Sequence, residues 1–394
     1  MTTPLARNAS PSGLDGGAMH LLNLVRRHGT LTRAQMNEQT GWARMTVTGR
    51  LDQLLATGML VPDDPEPNGR GRPVTRFRIA SERAALIVAD VGALGARLTR
   101  CDLLGRVEQT TQRDCLIGTG PDVVLPMIRE AMEELAAGLG DRPVWGVGIS
   151  LPGPVEFRTG RVVNPPIMTG WDGVNVRDLV TEWFDTPVLI DNDVNAMAVG
   201  EQALSYPDAT DLFVLKVGTG IGAGIISDGH VLRGVAGAAG DIGHTWADTA
   251  GIRTDVPECR CGKRGCVEAY CGGWAIARDA GRELGRDLDV DDVVALLAAS
   301  DPVTVRLVRD AGRILGASVA TAVSLLNPSA VVLGGQVAAA AREHLSAGLR
   351  ERIYARSLPL AIRDLTIDVS TLWPNAGVQG RARGVADLVF SPTA

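Results

Sequence analysis

The chain has little sulfur, no lysine in its first eighty residues and no long apolar run, and each shortage narrows what it can be. Six cysteines in 394 residues, three of them crowded into eight positions, do not make a disulfide framework. That usage points to a reducing, cytoplasmic setting. No stretch approaches the roughly 18 apolar residues of a membrane span. Residues 1–17 are polar, with proline, serine and glycine; they lack the apolar core of a signal peptide and are expected to form a flexible tail. What remains is a chain that is 45% apolar and long enough for two or three domains with sizeable cores.

Charge is uneven. Residues 1–80 carry ten arginines against six acids, a balance of +4 in a chain whose total is −6, so the remainder carries −10. A small basic segment on an acidic body is the asymmetry expected when one domain meets nucleic acid. Within it, Leu21, Leu22, Leu24 and Val25 predict a helix closed by Gly29. Thr32 is a good N-cap for a second helix, Arg33 to Thr40, and a third runs from about Ala43 to Ala56. Met59 to Val61 and Val74 to Ile79 read as two strands. Three helices and a two-stranded wing make a winged helix-turn-helix over 18–80. Gly69-Arg70-Gly71-Arg72-Pro73 falls at the wing tip, where extended arginines can enter a narrow minor groove. A solvated basic loop would have the same composition, and a winged helix can also serve protein contacts.

The most specific signal lies further on. His244 is followed by Cys259, Cys261 and Cys266, the cysteines spaced Cys-x-Cys-x4-Cys. One imidazole and three thiolates close a tetrahedral site for Zn2+, and four protein ligands leave no open position, so the metal is expected to be structural. Gly262 and Gly265 suit the tight knuckle between ligands. Cys271 is near enough to be a substitute ligand, and a cluster of reduced structural thiols is the plainer alternative.

Gly240-Asp241-Ile242-Gly243-His244, with Cys259-Arg260-Cys261-Gly262-Lys263-Arg264-Gly265-Cys266-Val267-Glu268, resembles the zinc signature of the ROK family (repressors, open reading frames and sugar kinases). Asp241 stands where that family has glutamate. The string Leu31 to Thr48 is similar to the winged helix of ROK-type repressors, which implies that helix three lies in a major groove with Arg44, Thr46, Thr48 and Arg50 facing DNA. Leu86 to Val91 and Leu212 to Val217, each followed by a glycine turn and a second strand, form a weak internal duplication. It fits the two-lobed actin/hexokinase-like α/β fold shared by ROK proteins, here over 81–394.

The resemblance implies a sugar site and a nucleotide site in the cleft between lobes. Gly218-Thr219-Gly220-Ile221-Gly222-Ala223-Gly224 is an intact phosphate turn, and Val332-Leu333-Gly334-Gly335 resembles the adenosine-side loop. The first turn departs: sugar kinases read Asp-x-Gly-Gly-Thr, but here it is Asp90-Val91-Gly92-Ala93-Leu94, and leucine supplies no hydroxyl. Phosphoryl transfer depends on positioning and electrostatics, so kinase activity is expected to be lost. Asn192 and Asp193 match the family's Asn-Asp-x-Asn-Ala motif, whose aspartate is the kinases' general base. With Asn164, Asp241, His244 and Glu268 they would surround a hexose. The expectation is a sugar-responsive repressor that binds operator DNA as a homodimer or a dimer of dimers. The alternative is an ATP-dependent sugar kinase with a DNA-binding appendage.

Overall fold

A computed structural model describes residues 13–63 and 74–391. Arg70 and Arg72 lie outside the described residues. Helix α1 (Gly16–His28) starts behind Asp15, whose carboxylate accepts from the amides of Gly17 and Ala18. Residues 16 and 17, expected in the tail, are thus helical. β1 (Thr30–Thr32) runs straight into α2 (Arg33–Thr40), where Thr32 and Gln35 form a capping box. α3 (Arg44–Ala56) begins without a side-chain cap, because Ala43 has nothing to offer the free amides. β2 (Leu60–Asp63) and β3 (Arg76–Ile79) follow. The wing has three strands, in the order β1-β3-β2, where the sequence reading had two. β1 was missed because three residues are too few to display an alternating pattern.

The first lobe opens with β4 (Ala85–Val91), β5 (Gly95–Asp102), β6 (Val107–Asp114), α4 (Pro121–Ala137) and β7 (Val144–Leu151). It continues through β8 (Val155–Glu156), β9 (Arg161–Val162), α5 (Val176–Trp183), β10 (Val188–Asn192) and α6 (Asp193–Leu204). The second lobe contains β11 (Leu212–Val217), β12 (Ile221–Ser227), β13 (His230–Val231), α7 (Glu268–Cys271), α8 (Gly273–Leu284), α9 (Val290–Ala298) and α10 (Pro302–Leu326). β14 (Ala330–Gly334), α11 (Gln336–Ala340), α12 (Arg342–Arg356), α13 (Pro359–Ile362) and β15 (Thr366–Val369) complete it, and α14 (Ala376–Val389) returns to the first lobe.

The two five-stranded sheets, β10-β7-β4-β5-β6 and β13-β12-β11-β14-β15, repeat one plan. In each, an antiparallel hairpin through a glycine turn (β4–β5, β11–β12) lies beside a parallel neighbour (β7, β14). β4 is almost wholly apolar because both its faces are covered. Ile87, Ala89 and Val91 pack with α4, whereas Leu86 and Val88 pack with Val385 and Ala386 of α14.

That second core also holds Leu21, Leu22 and Val25 of α1, so the winged helix shares its interior with the first lobe. The side-chain amide of Asn23 donates to the Phe390 carbonyl at 2.8 Å, and Arg26 pairs with Asp387. The other face of α14 crosses α6 closely. A β-carbon on Gly380 would lie 1.8 Å from the Ala196 carbonyl oxygen, so only glycine admits this approach. Among the described residues, no helix is long and apolar enough to cross a membrane.

Candidate functional site

The lobes enclose a cleft of about 620 Å³, lined by both glycine turns and by Asn192, Asp193, Lys216, Asp241, His244 and Glu268. β10 delivers the first two. The Asn192 side-chain oxygen accepts from the Val194 amide at 2.9 Å, capping α6, and its amide donates to the Gly153 carbonyl at 3.1 Å. Asn192 therefore shapes the cleft wall and holds the loop Pro152-Gly153-Pro154, which also lines it. Asp193, the first residue of α6, is buried and ion-paired with Lys216 from β11. Behind it, Asp191 accepts two bonds from Arg233, at 3.0 and 2.9 Å, and one from Asn195 at 2.9 Å. Arg381 of α14 is buried beside them and donates to Ser150 at 2.9 Å. Burial pulls this guanidinium below its ordinary range, against the attraction of Asp191.

The first glycine turn closes with a Gly92 amide bond to the Gly95 carbonyl at 2.7 Å, and Leu94 projects into the cleft lining, partly exposed. One carboxylate oxygen of Asp90, just before this turn, is buried without a hydrogen-bond partner. Burial raises the Asp90 carboxyl to about 6, with Lys216 opposing the rise and Asp193 adding to it. The second turn is braced differently. Glu268 accepts from the Ile221 amide at 3.0 Å, and a β-carbon on Gly220 would stand 2.5 Å from that carboxylate. The Gly273 amide donates to the Gly218 carbonyl at 2.9 Å. Across the cleft, Gln336 follows Gly335, whose φ of 97° accompanies a close approach of the Val332–Gly335 segment to β11.

Asn164 does not join this ring. It is exposed, its backbone N–H donates to the Asp172 carboxylate at 2.7 Å, and the nearby cleft lining is Pro166 and Ile167. Asp241 lines the cleft but is exposed, its carboxylate 3.9 Å from His244 Nε2. His244 presents its other nitrogen to the cysteines: Nδ1 lies 3.6 Å from Cys259 Sγ. Cys261 Sγ and Cys266 Sγ are 3.7 Å apart, and the four ligand atoms all lie within 4.8 Å of one another. Bonds of about 2.3 Å to sulfur and 2.0–2.1 Å to nitrogen give tetrahedral edges of roughly 3.8 and 3.6 Å, so the cluster can hold a metal ion. Burial pushes the Cys259 thiol up to about 12; a bound divalent cation would be what ionises it. Cys271 is not part of this cluster; its thiol donates to the Ala311 carbonyl at 3.3 Å. Glu268, 4.0 Å from Cys259 Sγ, links the cluster to the second glycine turn.

On α3, Arg44 and Thr46 are exposed and Thr48 is half-buried. Arg50 instead turns back to pair with Asp15 at the start of α1. Met45, 81% exposed, is the large apolar side chain that stands out between Arg44 and Thr46. Sequence reading passed over it because methionine on a helix is expected in a core. The sequence signal for Lys216 is a lone cation inside the apolar strand Leu212–Val217. Nothing in the sequence around Arg381 marked it.

The ROK family model matches residues 87–387. This chain belongs to the ROK family. The xylose repressor of Caldicellulosiruptor bescii is 28% identical over 379 residues, covering 92% of this chain and 93% of that one. The glucokinase of Halalkalibacterium halodurans is 29% identical over 312 residues, covering 74% of this chain and 92% of its own. A solved ROK family transcriptional regulator, a homologue of the Escherichia coli MLC protein, superimposes with a TM-score of 0.79 over 95% of this chain and 96% of its own, at 24% identity. A ROK glucokinase from Streptomyces griseus, solved with glucose and AMPPNP, gives 0.65 over 77% of this chain and 99% of its own, at 25% identity. The repressor and regulator named here match 92% and 95% of this chain, and the two kinases 74% and 77%.

Proposed function

We infer that this ROK chain is a sugar-responsive transcriptional regulator, a repressor of carbohydrate genes. The winged helix would bind operator DNA with α3 in a major groove and the arginines of the wing tip beside it, in a homodimer that presents two such helices. The cleft would bind a sugar through Asp193, with Asp241, His244 and Glu268 around it. The cysteine cluster would hold a structural Zn2+ on His244, Cys259, Cys261 and Cys266, leaving His244 Nε2 for the sugar.

One observation carries this reading: α14 is packed against α6, which bears Asp193, and against α1 of the winged helix. A sugar that favours one arrangement of the lobes can therefore bias the placement of the DNA-binding unit, through its differential affinity for the two arrangements. The kinase reading is favoured by the intact second glycine turn and by the glucokinase relatives. Leu94 stands against it. A thermal-shift panel of mono- and disaccharides, without nucleotide, tests the proposal: a sugar that binds only the folded state raises its melting temperature. A sugar that stabilises the wild type and not Asp193→Ala supports it; sugar-dependent ATP consumption lost in Asp193→Asn makes the protein a kinase.

A further inference from the structure

The internal duplication places Asp90 and Lys216 at equivalent positions. Val88-Ala89-Asp90-Val91-Gly92 ends β4 and enters the first glycine turn; Val214-Leu215-Lys216-Val217-Gly218 ends β11 and enters the second. Two residues before each turn, one repeat carries an acid and the other a base. Both line the cleft, and the Lys216 ammonium is seated on the Asp193 carboxylate. Although burial disfavours its charge, Asp193 and Asp90 together hold Lys216 above its ordinary value.

A cleft that transfers phosphoryl groups needs the opposite arrangement. Carboxylates at its floor hold a divalent cation shared with substrate phosphates, and a base must be free to take the hydroxyl proton. Here the base is occupied by an ammonium. Asp90 meanwhile keeps a buried oxygen with no hydrogen-bond partner, and such an atom is costly unless a cation stands near it. Arg97 and Arg381 are the other cations that act on Asp90. With the Gln112 amide turned so that its oxygen faces Arg97, both terminal nitrogens of Arg97 donate to it, at 3.0 and 3.1 Å, and Arg381 donates to Ser150. Lys216 is ion-paired with Asp193 and is the first of the cations that act on Asp90, to which it makes no hydrogen bond.

We propose that Lys216, paired with Asp193 and lining the same cleft as Asp90, is the resident cation of this cleft and takes the role a divalent metal has in phosphoryl transfer, so that the cleft takes a sugar with neither nucleotide nor divalent cation. This deepens the sugar-cleft reading and rests on it. It makes Lys216 a specificity-determining residue: it neutralises Asp193 as a base while leaving its second oxygen as an acceptor for a sugar hydroxyl.

The test is Mn2+ binding to the full-length protein, followed by the loss of the free-ion electron paramagnetic resonance signal, without sugar or DNA. Thiolate ligands favour zinc over manganese, so the cysteine cluster does not confuse the count. The wild type is expected to take up no Mn2+ in the cleft. Lys216→Ser, or the milder Lys216→Gln, which keeps a donor against Asp193, is expected to gain about one Mn2+ per chain. Adding Asp90→Asn should remove that gain. A gain in either folded variant, abolished by Asp90→Asn, supports the proposal. It is overturned if both variants, shown folded by circular dichroism, bind no more Mn2+ than the wild type. It is equally overturned if the wild type binds an ion that Asp90→Asn removes. Because no sugar is present, failure here leaves the sugar-regulator reading intact, and failure to find a sugar leaves this result intact.

Discussion

Arg26 near the end of α1 and Asp387 near the end of α14 form an ion pair that joins the winged helix to the first lobe, with the Arg26 guanidinium also 5.1 Å from the Phe390 ring centroid. Arg26 is largely covered and Asp387 is open to water. The pair joins the winged helix to the helix that packs against α6, which bears Asp193.

Breaking this pair should uncouple the two ends more than it destabilises the fold. An ion pair with one exposed partner is worth at most about 1 kcal/mol, so Asp387→Ala should melt close to the wild type. Sugar binding and DNA binding should each persist, while the factor by which sugar changes DNA affinity shrinks. Calorimetry for sugar and fluorescence anisotropy for DNA, with and without sugar, measure all three quantities. An unchanged factor would remove α14 from the coupling route.

The metal cluster should act on the cleft through Glu268. Cys261→Ser is expected to reduce zinc, measured by plasma emission spectroscopy, from one per chain to a small fraction. Sugar affinity should fall with it, because Glu268 braces the second glycine turn and lies against Cys259. Cys271→Ser should keep its zinc. Metal content near zero in reduced wild type would contradict the assignment.

The two arginines of α3 should behave differently on DNA. Arg44→Ala should relax sequence preference in selections from random duplexes, with a loss of about 1–3 kcal/mol if it reads a guanine. Arg50→Ala should leave the preference unchanged, because its charge is spent on Asp15, and should lower stability by less than about 1 kcal/mol. Wild-type affinity should fall steeply as salt rises, since arginine–phosphate contacts displace counterions. Salt-independent binding would refute the interface.

Asp90 should give the fold a pH signature. Its carboxyl is raised from 3.8 to about 6, so between these values the folded chain holds a proton the unfolded chain has released. Its contribution to stability therefore declines as pH rises through that window and levels off above it. Asp90→Asn, which keeps the shape without the charge, should gain in melting temperature relative to the wild type between pH 4.5 and pH 7.5. A constant difference across that range would show that Asp90 ionises normally.

What could be read in the sequence was local. The bounds of α2 follow from Thr32 and Gly41, the two glycine turns from their own spacing, and the metal cluster from four residues within 23 positions. The two-lobed plan was visible because the repeat is written twice. Distant pairing was not legible. Arg381 reaches Ser150, and Arg26 reaches Asp387, across more than two hundred residues, with no local pattern to announce either contact. For Asn192 the motif is legible, but its cap on α6 and its bond to the Gly153 loop are not. Asn164, identified by resemblance, is exposed and absent from the cleft lining, which its motif does not reveal.

The central claim is that a sugar bound at Asp193 changes DNA binding without chemistry. It is tested most directly by anisotropy of a duplex selected by the wild-type protein, titrated with the stabilising sugar in the absence of ATP and magnesium. The account predicts that sugar shifts the wild-type affinity several-fold, and that Asp193→Ala, still bound to the duplex, does not respond. A wild-type affinity that ignores the sugar, or that responds only when ATP and magnesium are supplied, would contradict it.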